Sequence, residues 1–487
     1  MENQLIKERK QKLEEIKRLK INPYPHNFNK TTDIQNVINS YSSIKSEEKS
    51  KDIFSIAGRI ILERNMGKAT FLNIQDQTNS LQLYLNQQET KNYELIKFLD
   101  IGDIIGTSGY PFKTKKGELT LFVKELTILT KSLRPLPEKF HGLKDQELIY
   151  RHRYLDLITN PESKNKFLIR TKMIQTFREF LDSRGFIEVE TPTLQPLYGG
   201  ANAKPFKTYY NALKRDFYLR VSNELYLKRL LVGGFEKVYE FVKDFRNEDI
   251  DTTHVPEFTQ IEFYEAYKDY IHAMEMYEQL IEYTAKKVLG TIEVIYQGNK
   301  ISLKTPWKRI SMVDAIKKYA KFDVNKKTRK ELTDFLEKNN IEYEKELLDG
   351  MLIKLIFEET CEKHLIQPTF IIDHPIETTP LCKPKELNQK FVERFEPYIA
   401  CMEVGNAYSE LNDPILQRRL FEEQEERGRG GEKETHPLDE DFLEAMETGM
   451  PPTTGVGIGF DRLVMIFTNS ESIRDVILFP PMKPKTN

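Results

Sequence analysis

The chain has 487 residues, enough for two or three domains with a sizeable catalytic core. Its 73 basic and 75 acidic residues give a net charge of -2, so nucleic-acid binding must come from local patches rather than a global basic excess. With 30% charged and 39% apolar residues the composition is that of a globular protein, and apolar runs of only a few residues exclude a membrane span.

The N-terminus "MENQLIKERKQKLEEIKRLK" mixes both charge signs and lacks the apolar stretch of a secretory signal. Three cysteines without CxxC-type spacing predict reduced thiols and a cytoplasmic protein.

An amphipathic helix is predicted in an N-terminal helical extension over residues 1–50, because Leu5, Leu13, Ile16 and Leu19 recur at helical spacing. The lysines of this helix fit a solvated face and an RNA contact equally well.

Residues 51–140 have the strand pattern of an OB-fold barrel, a common binder of single-stranded nucleic acid. Five short strands are predicted between residues 54 and 131: "FSIAGRIIL", "TFLNIQD", "SLQLYLN", "DIIGTSGYPF" and "LTLFVKELTIL". Phe71 and Gln82 fall on the outer polar face, where a ring suits base stacking and an amide suits base-edge hydrogen bonding. Taken alone, Phe71 fits a stacking platform and a side chain covered by another domain equally well.

Residues 141–487 predict a second domain that combines a sheet with helices. "VYEFVKDFR" and "FTQIEFYEAY" alternate as antiparallel strands around the loop "NEDIDTTHVPE", and residues of about 268–365 have a largely helical pattern. The sheet resumes in "QPTFIID", "FVERFEPYIA" and "MEVGNAYSELND", and "GVGIGFDR" runs from a glycine-rich strand end into a helix.

The hairpin carries side chains suited to a charged nucleotide and to an amine. Phe258, Gln260, Glu262 and Tyr264 share one face of the second strand. In the first strand Arg246 shares a face with Val242 and Asp244. An arginine can bind an anion, a phenylalanine can stack on a base and a glutamate can hold an amine. Each of them alone fits a solvated sheet face better, so only their combination indicates a site.

Three motifs indicate a family. "FIEVETP", "FRNEDIDTTHVPEFTQIE" and "GVGIGFDR", in this order and spacing, resemble the signature motifs of class II aminoacyl-tRNA synthetases. The barrel is similar to that of the subgroup serving lysine, aspartate and asparagine, and "GGANAKPF", "NELYLKRL", "GNAYSELND" and "TNSESIRDVILFP" resemble its lysyl members. The resemblance implies an α+β fold: an N-terminal OB-fold β-barrel, then a catalytic domain with an antiparallel sheet of six or seven strands flanked by helices.

The resemblance also implies a ligase that joins L-lysine to tRNA(Lys) through a lysyl-adenylate, with ATP as co-substrate and Mg²⁺ as cofactor. It implies a homodimer, with the strand ending at Pro192 in the interface, and no membrane association. The barrel would read a uridine-rich anticodon, and this favours the stacking role of Phe71. The residues expected to contact the anticodon are Arg64, Phe71, Gln82 and Glu118.

The family's site residues carry over to numbered positions in this chain. Those expected to bind lysine are Gly200, Glu224, Glu262, Tyr264, Asn406, Tyr408 and Glu410. Those expected to bind ATP are Arg246, Glu248, His254, Phe258, Glu396, Glu403 and Arg462. Among them, Arg246 and Arg462 would be catalytic, and Glu396 and Glu403 would bind Mg²⁺. Adenine would stack between Phe258 and Arg462.

The stretch "MEVGNAYSELND" divides its acids between metal and substrate. In a regular strand Asn406, Tyr408 and Glu410 share a face and Glu403 points to the other. The strand must therefore bulge or twist near Gly405 for Glu403 to join the same site. Aspartyl relatives carry arginine where this chain has Glu410, so the sign of the pocket favours lysine.

Three departures from the family pattern stand out. "TTPLCK" differs from the more usual version, which contains serine and alanine. Val255 occupies a position where the family usually has asparagine, so a polar contact to ATP is expected to be missing or rerouted. Phe460 replaces a more common aliphatic residue.

Two alternative functions stay open. A catalytically silent RNA-binding relative should lose the phosphate arginines or the metal acids. A paralogue that lysylates a protein should lack the barrel. This sequence keeps the phosphate arginines, the metal acids and the barrel, which disfavours both alternatives.

Overall fold

The computed structural model describes residues 4–137, 145–201, 203–429 and 437–484. It divides into two units, Met1–Lys144 and Asp145–Asn487. The elements of the first unit are α1 (Gln4–Arg18), α2 (Ile34–Tyr41), β1 (Phe54–Met66), β2 (Ala69–Gln75), β3 (Ser80–Asn86), β4 (Ile104–Lys113) and β5 (Leu119–Thr130). Its five strands close into a barrel in the order β1-β2-β3-β5-β4, which confirms the predicted OB-fold.

Alternating aliphatic residues build the core of this barrel. Leu72 and Ile74 of β2 are fully buried, and so are Leu83 and Leu85 of β3, because every second side chain of a strand points to the same face. Ile16 of α1 joins the same core, together with residues of α2. The N-terminal helices therefore pack on the barrel within the first unit.

The helices of the second unit are α3 (Gln146–Arg151), α4 (Arg153–Thr159), α5 (Pro161–Asp182), α6 (Glu224–Val232), α7 (Tyr270–Leu289), α8 (Met312–Tyr319), α9 (Arg329–Lys338), α10 (Asp349–Cys361), α11 (Pro414–Arg429), α12 (Glu440–Gly449) and α13 (Phe460–Phe467). Across the described residues, no helix has both the length and the apolar composition needed to cross a membrane.

The strands of the second unit are β6 (Ile187–Glu188), β7 (Leu194–Gln195), β8 (Lys207–Tyr210), β9 (Arg215–Leu219), β10 (Lys237–Phe245), β11 (Glu257–Ala266), β12 (Glu293–Tyr296), β13 (Asn299–Ser302), β14 (Lys308–Ser311), β15 (Thr369–Pro375), β16 (Phe391–Ile399), β17 (Met402–Glu403), β18 (Gly405–Ser409) and β19 (Thr453–Ile458). Residues 268–365, predicted to be largely helical, hold helices α7 to α10 and also the hairpin β12-β13 and strand β14.

Nine strands form the main sheet, in the order β14-β15-β16-β18-β19-β11-β10-β6, with β17 paired to β16 beside this path. The central strands are antiparallel, as the resemblance implies. The edge strands β6 and β14 pair in parallel with their neighbours, so the sheet is mixed and larger than the six or seven antiparallel strands expected. Strands of two and four residues are too short to show a period in the sequence, and only two residues of "FIEVETP" pair as a strand.

Helices α5, α7 and α13 cover one face of this sheet. The buried apolar residues come from all three helices and from alternate positions of β11: Met173, Phe177, Ile261, Phe263, Met274, Tyr277 and Leu463. Glu262 and Tyr264 lie between the apolar positions of β11, so their side chains project from the opposite face. The apolar core thus leaves the polar side chains of the strand together on one surface.

Candidate active site

The polar face of the main sheet opens into a cleft of about 360 Å³. Side chains from β11, β16, β18 and β19 line it, together with residues before and after these strands. Every residue that the sequence assigns to lysine, ATP or Mg²⁺ lines this cleft: Gly200, Glu224, Arg246, Glu248, His254, Phe258, Glu262, Tyr264, Glu396, Glu403, Asn406, Tyr408, Glu410 and Arg462.

A strand irregularity brings Glu403 to the same side as Asn406. Strand β17 pairs Glu403 with Tyr398, whereas β18 pairs Ala407 with Phe395. Three steps along β16 therefore match four steps along the facing segment, which holds one extra residue. The extra residue reverses the alternation, and both Glu403 and Asn406 line the cleft. The predicted bulge is present.

Three buried carboxylates, Glu224, Glu262 and Glu410, form an acidic cluster in the cleft. The Tyr264 hydroxyl donates to Glu262 at 3.0 Å, and the Tyr408 hydroxyl donates to Glu224. Burial raises the pKa of Glu262 well above its usual range, and repulsion from Glu224 raises it further. Carboxylates that are buried next to one another are stabilised by a cation.

A lysine of the protein itself touches this cluster, and the sequence analysis assigned it no role. Lys228 Nζ lies 2.7 Å from Glu224 Oε1 and forms an ion pair with Glu410. Burial lowers the pKa of Lys228, but attraction by Glu224 and Glu410 outweighs burial and raises it, so the ammonium stays charged. The signal in the sequence is the i, i+4 spacing of Glu224 and Lys228 in "NELYLKRL", which places both on one helix face.

A glycine makes room for the acidic cluster. A Cβ atom on Gly455 of β19 would lie 2.1 Å from Glu410 Oε1 and 2.3 Å from Tyr264 Cε1. Glu410 Oε2 pairs with Lys228, whereas Oε1 has no hydrogen-bond partner among the described residues. Gly455 therefore lets an unsatisfied carboxylate oxygen face the cleft.

A second group of lining residues is cationic and aromatic. The guanidinium carbon of Arg246 lies 5.0 Å from the ring centroid of Phe258, and its buried Nε has no partner among the described residues. Arg462 donates to the Glu403 carbonyl oxygen at 2.7 Å and lies 2.8 Å from Nε2 of His254. Arginine with spare donors beside an aromatic ring suits a phosphate attached to a base. Adenine between Phe258 and Arg462 stays a prediction.

Glu396 and Glu403 are the acids expected to bind a metal. Burial alone would raise the pKa of Glu396, but attraction by His374, Arg394 and Lys354 outweighs it and lowers the pKa to about 2. Glu396 is therefore ionised at neutral pH. Within the described ranges, no group of three or more His, Cys, Asp or Glu side chains could hold a metal ion alone. Two carboxylates leave other positions to phosphate oxygens and water, which fits Mg²⁺.

Arg394 is a further cleft residue that the sequence analysis missed. Its Nε donates to Asn406 Oδ1 at 2.8 Å, and its NH2 group donates to Glu396 at 2.7 Å. It thus links a residue expected to bind lysine with one expected to bind metal. The available signal is the alternation in "FVERFEPYIA", which puts Arg394 and Glu396 on one strand face.

Two of the departures from the family pattern, Val255 and Phe460, are buried apolar side chains. Val255 lines the cleft and is 4% exposed, so this position offers ATP no polar side chain. Phe460 is fully buried, and its ring centroid lies 5.5 Å from that of Phe177 and 5.6 Å from that of Phe241. Phe460 thus fills the core behind the sheet.

The residues expected to bind the anticodon lie in the first unit. Phe71 of β2 is half-buried; it pairs across the sheet with Arg64, and its ring packs 5.1 Å from that of Tyr84. Glu118, just before β5, is exposed.

Gln82 differs from the expectation. Its side chain is 4% exposed, donates to Thr120 at 2.8 Å and accepts from Arg64 at 2.9 Å. The expectation that its amide is exposed for base-edge hydrogen bonding is wrong, because neighbouring side chains on the barrel already satisfy and cover it.

Comparisons with known proteins agree with this geometry. Residues 145–483 match tRNA synthetases class II (D, K and N), and residues 54–129 match an OB-fold nucleic acid binding domain. The lysine–tRNA ligase of Thermoanaerobacter pseudethanolicus is 51% identical over 489 residues, covering 100% of this chain and 97% of that protein. Those of Moorella thermoacetica and Carboxydothermus hydrogenoformans are 49% and 48% identical over 99% of both chains. The chain therefore belongs to the class II tRNA synthetases of the D, K and N group.

Proposed function

We propose that the protein is a lysine–tRNA ligase, which activates L-lysine with ATP and transfers it to tRNA(Lys). The acidic cluster of Glu224, Glu262 and Glu410 carries the choice of amino acid, because buried carboxylates favour a side chain that ends in a cation. Aspartate would bring another negative charge to the cluster, and asparagine would leave a carboxylate unpaired. Similarity over the whole chain to several lysine–tRNA ligases supports the same choice.

In this proposal the two ends of lysine bind different parts of the cleft. The ε-ammonium binds the free Oε1 of Glu410, with Tyr264 and Glu262 beside it. The α-amino and carboxylate ends lie among Gly200, Glu224 and Asn406. Tyr408 supports Glu224 through its hydroxyl.

ATP occupies the cationic and aromatic part of the cleft. Arg246 binds the α-phosphate and the lysine carboxylate, and adenine stacks on Phe258. Glu248 accepts from the adenine amine, and His254 holds the pyrophosphate end. Glu396 and Glu403 would hold Mg²⁺, which when bound supplies charge neutralisation to the ATP phosphates.

The reaction needs positioning and charge stabilisation rather than a side-chain base. A carboxylate oxygen of lysine attacks the α-phosphorus of ATP, and the bond to the bridging oxygen of pyrophosphate breaks. Arg246 stabilises the negative charge of the pentacovalent phosphorus. The 3′-hydroxyl of the terminal adenosine of tRNA then attacks the lysyl carbonyl carbon, so that an ester forms, AMP leaves and the hydroxyl proton passes to solvent.

The barrel binds the anticodon in this proposal, and Phe71 stacks on one base. Phe71→Ala should lower kcat/KM for tRNA charging by about 10- to 100-fold, since base stacking on an aromatic side chain contributes roughly 1–3 kcal/mol. Lysine-dependent ATP–pyrophosphate exchange should stay unchanged, because the second unit alone holds that chemistry. Charging and exchange assays on the same preparation measure both effects.

Phe71→Tyr is the matched control, since it keeps the ring and should retain most charging activity. Loss of exchange as well as charging in Phe71→Ala would show that the substitution damages the fold, and unchanged charging would exclude the stacking role.

A homodimer and a cytoplasmic location complete the proposal. Strand β6 is an edge of the main sheet, and its Ile187 is 51% exposed, which suits pairing with a second copy. Cys361, Cys382 and Cys401 are free cysteines, which is compatible with a reducing compartment. Light scattering that gave the mass of a single 57.3 kDa chain would contradict the dimer.

ATP–pyrophosphate exchange with lysine, aspartate and asparagine in parallel tests the function. Only lysine should support exchange, and the same protein should charge tRNA(Lys). A catalytically silent RNA-binding protein would show no exchange. A protein-lysylating enzyme would exchange with lysine but fail to charge tRNA.

A further inference from the structure

We propose that Lys228 is a positioning residue that determines specificity: a resident counter-ion that pairs with Oε2 of Glu410 and holds its Oε1 toward the substrate ammonium. The proposal rests on the lysine-binding role of the acidic cluster. It assigns the specificity of the cleft to a cation of the protein as well as to its acids.

The contacts of Lys228 divide the oxygens of its two partners. Glu410 uses Oε2 for Lys228 and leaves Oε1 without a partner in the described structure, facing the space beside Gly455. Glu224 receives both Lys228 and the Tyr408 hydroxyl on Oε1. One ammonium therefore orients two carboxylates of the cluster at once.

Lys228 cannot itself be a substrate contact, because its side chain is 0% exposed and it does not line the cleft. It projects from helix α6, and its Nζ lies 5.5 Å from the ring centroid of Tyr408 and 6.0 Å from that of Phe442. Aromatic rings around a buried ammonium fix its position and stabilise its charge. The ammonium of Lys228 is thus held inside the fold, out of contact with solvent.

The charge balance explains why a resident cation is useful. Three buried carboxylates with no counter-ion would take up protons rather than stay ionised, because burial penalises the charged form. When bound lysine draws all three carboxylates into their ionised form, Lys228 reduces the cluster to two net negative charges. Lysine brings two ammonium groups, and its single carboxylate is served by Arg246. Aspartate and asparagine bring one ammonium each.

The titration of Glu410 supports this role. Burial raises the pKa of Glu410 to about 8, and attraction by Lys228 is the main influence that lowers it. The other titratable groups that face this pair come from α6, β11, β16, β18 and the segment before β16: Glu224, Glu262, Tyr264, Cys382, Arg394 and Tyr408. From α12 the apolar ring of Phe442 faces Lys228. Lys228 is the cation that pairs directly with Glu410.

Lys228→Met should therefore weaken lysine binding in a way that depends on pH. Without Lys228 the pKa of Glu410 rises further above about 8. Lysine must then displace a more tightly held proton, at about a tenfold loss of affinity for each unit by which that pKa rises. At pH 7 we expect KM for lysine to rise at least about tenfold over wild type, with KM for ATP little changed. The ratio of variant to wild-type KM should be largest below pH 8 and shrink toward pH 9, because Glu410 of the wild type is ionised above about pH 8 and only the KM of the variant continues to fall.

Lysine and ATP titrations of pyrophosphate exchange from pH 6.5 to 9 measure these ratios. Lys228→Arg keeps the charge and should show a modest KM change with no added pH dependence. A ratio for Lys228→Met that is the same at every pH would mean a purely structural role and overturn the proposal. An unchanged KM for lysine would overturn it as well.

A second comparison keeps the test decisive if Lys228→Met does not fold. Lys228→Met combined with Glu410→Gln removes both charged members of the Lys228–Glu410 pair. If Lys228 acts through Glu410, the double variant should have nearly the KM for lysine of Glu410→Gln alone. A further large rise would contradict the proposal. Failure of the proposed function is distinct, since wild-type protein would then show no lysine-dependent exchange.

Discussion

Glu410→Gln is expected to raise KM for lysine by about 100- to 1,000-fold while KM for ATP changes little. The amide keeps the shape of the side chain and removes its charge. The substrate ammonium would then enter a buried pocket without its partner, and breaking a buried ion pair costs roughly 3–5 kcal/mol. Lys228 keeps its contact with Glu224 at 2.7 Å, so the substitution leaves the helix partner in place.

Pyrophosphate exchange with lysine and ATP varied separately measures this effect. Glu386→Gln is a matched control, because Glu386 is an exposed glutamate in the loop before β16, away from the cleft lining. It should behave like wild type. Equal increases in the two KM values for Glu410→Gln would show that Glu410 does not bind the ammonium.

Arg246→Ala is expected to lower kcat for adenylate formation by about 100- to 1,000-fold, the usual effect of removing one donor that stabilises transition-state charge. The guanidinium of Arg246 packs against the ring of Phe258, which orients it. Its buried Nε has no partner in the described structure and is free to donate a hydrogen bond. Arg246→Lys should recover only part of the rate, because an ammonium keeps the charge but loses the planar fork that matches phosphate.

Single-turnover formation of lysyl-adenylate at saturating lysine and ATP measures the chemical step. Lys243→Ala removes a cation of β10, the strand that ends just before Arg246. The Lys243 side chain is 43% exposed and does not line the cleft, so the rate of this variant should match wild type. A normal adenylation rate in Arg246→Ala would exclude the proposed role of this guanidinium.

The order and type of the elements that build the cleft are readable in the chain, because strand periodicity is local. Alternation in β10 and β11 separates Ile261 and Phe263 from Glu262 and Tyr264, and the structure keeps that separation. The alternating leucines of β3 predict the core of the barrel in the same way, and Leu83 and Leu85 are fully buried. Edge strand β14 escaped detection because four residues carry no measurable period, and β6 is only two residues of the strand predicted at "FIEVETP".

The sequence by itself determined which kinds of side chain line the cleft: acids, arginines, and a glycine beside the bulge at Glu403. Only the tertiary structure decided which of these charges are already neutralised. Lys228 reaches Glu410, and Arg64 and Thr120 cover Gln82, through contacts between residues far apart in the chain. Pairing and burial of this kind depend on distances in space, and the energy of a charge depends on the partners and solvent around it.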